Sequence, residues 1–176
     1  MDVAKYSEKL DVSSEEAIQL ARSCSADQLT FKPGGGGGGG GWGIFEVLEH
    51  ICLTDRIIHR IVSKPTEKVS PSNEIIGDTK LKRIIEEREN KIDAPDIVKP
   101  KGDIHDVDTF EKLLLEQRDL LKHDLKSGKI DVDNRMVKHF YLGEMTISDW
   151  LNLIIHHTRR HLKQIEEIIS VEKGIV

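Results

Sequence analysis

The stretch FYLGEMTISDWLNLIIHHTRRHLKQI, residues 140–165, carries His156, His157 and His161 on a segment with helical periodicity. At about 100° per residue, with His161 as zero, Ile154, Ile165, Thr158 and Leu151 fall at roughly +20°, +40°, +60° and +80°, and Ile168 at roughly −20°. These residues define the face turned to the core. His157, at roughly −40°, lies at its edge, whereas His156 at roughly −140° and Arg159 at roughly 160° point away. His156 is therefore the poorer ligand candidate. Imidazoles that converge inside a helical protein are costly to bury unless something holds them, and a metal ion is the leading candidate.

A third imidazole comes from the segment WGIFEVLEH, residues 42–50. With His50 as zero, Ile61, Val47, Ile58, Ile51 and Ile44 lie between roughly +20° and +120°, so His50 also sits at the edge of a core face. Cys52 and His59 point elsewhere. Histidines at i and i+4 share a helix face, and one more from a facing helix completes a three-nitrogen set. Glu46, one turn before His50, and Gln164, one turn after His161, are candidates to orient a ligand or a bound water. His59, His105, His123 and His139 read as surface residues, and Arg159, Arg160 and Lys163 as a solvated helix face. Trp42 and Trp150 read as core anchors, with Phe140 and Tyr141 walling a pocket.

Composition bounds the rest. A chain of 176 residues, 38% hydrophobic and 32% charged, is long enough for one core and reads as a single domain over 1–176. Its net charge of −5 argues against nucleic acid as the principal partner. No apolar run approaches the roughly 20 residues of a membrane span, and MDVAKYSEKL lacks the apolar region of a secretion signal, so a cytoplasmic location is expected. Cys24 and Cys52 form neither a CxxC pair nor a disulfide framework.

Helical periodicity predicts four long helices, from Val3 to Cys24, from Gly43 to just before Pro65, from Val107 to Lys126, and from Ser148, as N-cap, to Lys173. Gly128 and Gly174 mark stops. The first and second helices, like the third and fourth, are joined by links of about 20 residues that allow antiparallel pairs. Between the second and third lies a crossover over 64–107, rich in proline, which lets the chain restart in the same direction. The expected fold is all-α, a four-helix bundle running up, down, down, up. Within the crossover, Asp78 is placed to cap a short helix, TKLKRIIEEREN. The glycine run from Gly34 to Gly41 is followed by Trp42 and not by the Lys and Ser or Thr of a phosphate loop. It reads as a loop over one mouth of the site, and no function is drawn from it.

With these residues placed, the chain resembles the DinB/YfiT-like metalloprotein superfamily. The matching stretches are FKP before the glycine run, WGIFEVLEH, APDIVKPKG in the crossover, and the long segment 140–165 with its Gly-Glu-Met-Thr turn, Trp150 and HxxxH pair. The resemblance implies a bundle of the same helix order, with a divalent metal on His50, His157 and His161 and one position open to water. Where the family usually has Ser or Thr after the tryptophan this chain has Gly43, which caps a helix nearly as well.

Three neutral imidazoles suit zinc or nickel, with iron and manganese as alternatives. The resemblance further implies a thiol-dependent transferase acting with bacillithiol, mycothiol or glutathione and a small electrophile, because a coordinated thiol is deprotonated outright. A metal-dependent hydrolase and a non-catalytic, stress-related metal-binding protein are the alternative expectations. A homodimer is expected from the way such bundles pair, with no face assigned.

Overall fold

A computed structural model describes residues 1–34, 41–87 and 93–174. In chain order the elements are α1 (Val3–Ser23), α2 (Ala26–Thr30), α3 (Ile44–Val62), α4 (Asp78–Glu86), α5 (Val107–Lys126), β1 (Met136–His139), β2 (Gly143–Thr146) and α6 (Ile147–Glu172). The described residues are mostly helical. The poly-glycine loop, apart from its ends, and the last residues foreseen for the short crossover helix lie outside them.

The long helices follow the predicted periodicity closely, and α5 has the expected bounds. Helix α3 packs on α5 and α6, and α1 does the same. Chain-distant contacts set their register. Tyr6 donates its hydroxyl to the Leu151 carbonyl at 3.1 Å, joining the first turns of α1 and α6. Arg22, at the end of α1, meets Asp108 and Glu111 at the start of α5. Along α3 and α5, Asp55 meets Arg118 and His59 meets Asp124, two contacts that advance in the same sense.

The apolar interior is divided. Tyr6, Leu10, Ile58, Leu121, Trp150 and Ile154 belong to one buried cluster, and Ala17, Leu48, Ile51, Phe110, Leu114 and Ile165 to the other. Between these levels lies a polar layer with at least one residue from every long helix. Arg118, only 2% exposed, donates to Asp55 Oδ2 at 2.8 Å, to Ser14 Oγ at 3.0 Å and to Thr158 Oγ1 at 2.7 Å. A buried guanidinium is tolerated only when its donors are satisfied, and here three helices supply the acceptors.

The mostly helical structure is consistent with the all-α expectation and adds one small two-stranded sheet to it. Residues Met136–His139 and Gly143–Thr146 pair as an antiparallel hairpin, with Met136 opposite Thr146 and His139 opposite Gly143. Gly143, where the three-residue loop enters β2, has φ +80°, the left-handed conformation that glycine adopts without strain. What read as a turn leading into the last helix is thus a strand. The helix start moves with it: Thr146, not Ser148, is the N-cap, in a capping box with Asp149.

Asp149 also ties the crossover to α6. Its carboxylate accepts from the amides of Ile75 at 2.9 Å, Ile76 at 3.3 Å and Gly77 at 2.9 Å. Burial works to raise the Asp149 carboxyl, and these backbone donations outweigh it, holding it below the ordinary carboxylate range. Gly77, with φ +81°, is the N-cap of α4, so Asp78 enters the first turn and is not the cap. Its carboxylate goes to His156 instead.

His156 points away from the α3 side as expected, yet it is buried, because α4 covers it. Its Nδ1 lies 2.7 Å from Glu86 Oε1 and its Nε2 2.8 Å from Asp78 Oδ1. The helix face assigned to solvent is engaged in part: Arg160 donates to the Ile85 carbonyl, Lys163, itself exposed, to that of Glu86, and the half-buried Arg159 to Glu16. His59 is corrected in the same way, since its Nε2 sits 2.9 Å from the buried Asp124 carboxylate. His105 and His123 are exposed as foreseen. No helix among the described residues is long and apolar enough to cross a membrane.

His139 holds the hairpin turn. Its Nδ1 accepts from the amides of Tyr141 and Leu142, both at 3.1 Å, and its ring lies against Trp150. Burial pushes its pKa down from the ordinary histidine value to about 4. A proton on Nδ1 would face two donors, so the unfolded chain takes up protons first as acid is added. The stabilisation is complete above the ordinary histidine pKa and is lost as pH falls toward that lowered value. In the presence of chelator, wild-type stability is therefore expected to fall between pH 7 and pH 4.5 relative to His139→Asn, whose amide oxygen accepts without titrating. A difference between the two proteins that stays flat across this range would refute the assignment.

Candidate metal centre

His50 lies in the second turn of α3, and His157 and His161 lie on successive turns of α6. The packing of α3 on α6 brings the three rings together. His157 Nε2 is 3.1 Å from His50 Nε2 and 3.1 Å from His161 Nε2. One nitrogen from each ring lies within 4.8 Å of the others, and this is the one such group of three or more metal-ligating residue types found among the described residues.

The outward nitrogens set the tautomers. His50 Nδ1 donates to the Val98 carbonyl at 2.7 Å. A carbonyl can only accept, so the proton is on Nδ1 and the lone pair of Nε2 points inward. His161 Nδ1 lies 2.9 Å from Gln164 Oε1, which sets the same tautomer there. His157 Nδ1 is shielded from solvent and has no hydrogen-bond partner among the described residues.

Burial lowers the pKa of His50, the Val98 hydrogen bond opposes this, and the positive charge of Arg160 adds to the lowering. Burial also lowers His157 well below the ordinary histidine value, with His161 and His50 contributing. Both rings are therefore neutral at neutral pH, the form in which imidazole is a ligand. The inward lone pairs of His50 and His161 flank His157 Nε2, which as a neutral N–H can donate to one of them, and a single cation between the three nitrogens can take that proton's place and accept all three lone pairs. Zinc–nitrogen bonds of about 2.0–2.1 Å in a tetrahedral arrangement put ligand nitrogens about 3.3 Å apart, close to the spacing seen here. The three histidines can hold a metal ion.

The other residues singled out in the sequence are placed as follows. Gln164 is bonded to His161 as described. Glu46 accepts from the Gly43 amide at 2.7 Å and from Lys32 at 2.8 Å, closing the first turn of α3, so its carboxylate is used at the helix end and not at the histidines. Trp42 is half-buried, its ring 4.9 Å from that of His50, while Trp150 is buried. Phe140 and Tyr141 do not wall the site, being 63% and 47% exposed at the hairpin tip. Cys52 is buried and Cys24 partly so, both as free thiols. A surface groove of about 650 Å³ along α4, lined by Glu74, Asp78, Lys82 and Arg83 among others, contains none of the three histidines.

Sequence reasoning missed two groups around His50. The Val98 carbonyl belongs to the backbone and leaves no side-chain signal. Glu49, 2% exposed beside the ligand position, carried a signal in being acidic on a helix surface that turns out to be covered.

Comparison with known proteins agrees with this geometry. The chain is 31% identical over 147 residues, 84% of its length and 86% of the relative's, to a Bacillus subtilis (strain 168) protein described as uncharacterized protein YuaE. No solved structure matches the chain. The family model of the DinB superfamily matches residues 9–165, which include all three histidines, and the chain belongs to that superfamily.

Proposed function

We propose that this protein binds one divalent metal ion through His50, His157 and His161 and acts as a metal-dependent thiol transferase. The observation that carries the reading is the convergence of three imidazole Nε2 atoms, two of them oriented from behind by Val98 and Gln164. The contacts between distant turns support an up-down-down-up four-helix bundle as the frame, since α1 and α6 meet at their first turns and α3 and α5 advance together. Zinc or nickel fits the all-nitrogen donor set best.

A divalent ion held by three protein ligands, with a fourth position open, would supply a Lewis acid that lowers the pKa of a thiol or of water to near neutrality. The protein side of the site suits a nucleophile activated by coordination alone, such as a thiol. No carboxylate among the described residues joins the histidine cluster, and the nearest acidic neighbours in sequence, Glu46 and Glu49, are engaged with backbone amides. A nucleophile activated by coordination needs no general base, and a low-molecular-weight thiol in a reducing cytoplasm is such a nucleophile.

The test is metal content by mass spectrometry on untagged protein purified without chelator, beside a His50→Ala control. It is followed by conjugation of bacillithiol, mycothiol or glutathione to a model electrophile. About one metal per chain, lost in the control, together with saturable metal-dependent conjugation, is expected. Metal without conjugation to any thiol would overturn the transferase reading, in favour of a hydrolase if an activated ester is cleaved and of a non-catalytic protein if not.

A further inference from the structure

Of the APDIVKPKG stretch only the Val98 carbonyl has a role in the site so far, yet two adjacent residues of α3 grip the stretch and its end. His50 donates through Nδ1 to the Val98 carbonyl, at the end of the 3₁₀ turn Asp96–Val98. Glu49, its neighbour, accepts three successive backbone amides just beyond: Lys101 at 2.7 Å, Gly102 at 2.9 Å and Asp103 at 3.1 Å. Successive amides that converge in this way form a nest for an anion, and Gly102, with φ +88°, supplies the left-handed residue such a nest needs. Only Lys99 and Pro100 separate the carbonyl taken by His50 from the nest held by Glu49. The proline limits how far the two ends can move independently.

We propose that Glu49 is a positioning residue for the metal centre: its buried carboxylate anchors the 101–103 amides so that the Val98 carbonyl stands where it holds the His50 ring, in the tautomer whose Nε2 faces the site. The carboxylate itself is not part of the histidine cluster. It acts through the crossover loop, which becomes the outer support of the first ligand. The inference rests on the metal-site reading above.

The test uses the full chain with Glu49→Gln, which keeps the shape but turns one acceptor oxygen into a donor facing amide N–H groups. In metal-free wild-type protein, NMR should show a slowly exchanging His50 Nδ1 proton. In Glu49→Gln that proton should exchange freely, and zinc affinity measured by chelator competition should fall about 10- to 100-fold with stoichiometry retained. The visible spectrum of the cobalt-substituted variant should shift, which a loss of stability alone would not cause. Gly102→Ala disturbs the same nest from the loop side and should act in the same direction, which keeps the test decisive if Glu49→Gln fails to fold. An unchanged His50 Nδ1 signal together with unchanged zinc affinity would overturn the positioning role. Wild-type protein that binds no metal would sink the reading of the site instead, and the His50 signal would then by itself decide whether Glu49 sets the ring.

Discussion

Replacing Arg118 with methionine is expected to lower the unfolding free energy by about 3–5 kcal/mol, the usual effect of removing one partner from a buried ion pair. Asp55, 3% exposed, has Arg118 as its charged partner, and its Oδ1 already lacks a hydrogen bond among the described residues. Burial works to raise the Asp55 carboxyl and Arg118 opposes this, so without the guanidinium the carboxylate must either stay buried and uncompensated or take up a proton. The hydroxyls of Ser14 and Thr158 lose a donor as well. Arg118→Met combined with Asp55→Leu should recover most of the loss, because an apolar replacement of both partners leaves no orphaned charge. Denaturant unfolding of the two single variants and the double variant measures this directly. A loss below about 1 kcal/mol in Arg118→Met, the scale of an exposed pair, would show that the polar layer is not an energetic unit.

His157→Ala has the largest expected effect on the metal centre and a small one on the metal-free fold. Its Nε2 is the nitrogen that stands 3.1 Å from both of the others, so its removal leaves two ligands on different helices. Stoichiometric metal should be lost. The stabilisation that metal confers on the wild type, about 4 kcal/mol at a thousandfold excess over Kd, should be lost with it. In the metal-free protein the same ring contributes one hydrogen bond, from an Nε2 proton to His50 or His161 Nε2, its Nδ1 having no partner among the described residues. Metal-free His157→Ala should therefore unfold within about 1.5 kcal/mol of the metal-free wild type. His50→Ala makes the contrast, since it also leaves the Val98 carbonyl without its donor and should cost about 1–3 kcal/mol before any metal is added. Metal retained at unchanged stoichiometry in His157→Ala would remove that residue from the ligand set.

The helices and the three histidines were legible in the residue order because helix geometry is local. A period of about 3.6 residues decides which side chains share a face, so His157 and His161 had to lie together, and His50 at the edge of its own core stripe. The stops at Gly128 and Gly174, both with positive φ, were equally local. The hairpin was missed because its strands of four residues each are too short for alternation to stand out, although Thr146 and Asp149 already had capping-box spacing.

What only the tertiary structure decided was the company each polar group keeps. His156 was expected only to point away from the apolar face and His59 to lie at the surface, and both are covered by carboxylates, from α4 and α5, while Arg118 looked like one charge among many and became the centre of a buried layer. Val98 and Glu49 behave alike, since the carbonyl and the carboxylate matter only through the crossover segment that folds back over α3. Which face of a helix a residue occupies is determined within one or two turns of chain. Which segment covers that face depends on chain closure over tens of residues, and a buried charge or an imidazole tautomer is settled by that covering segment.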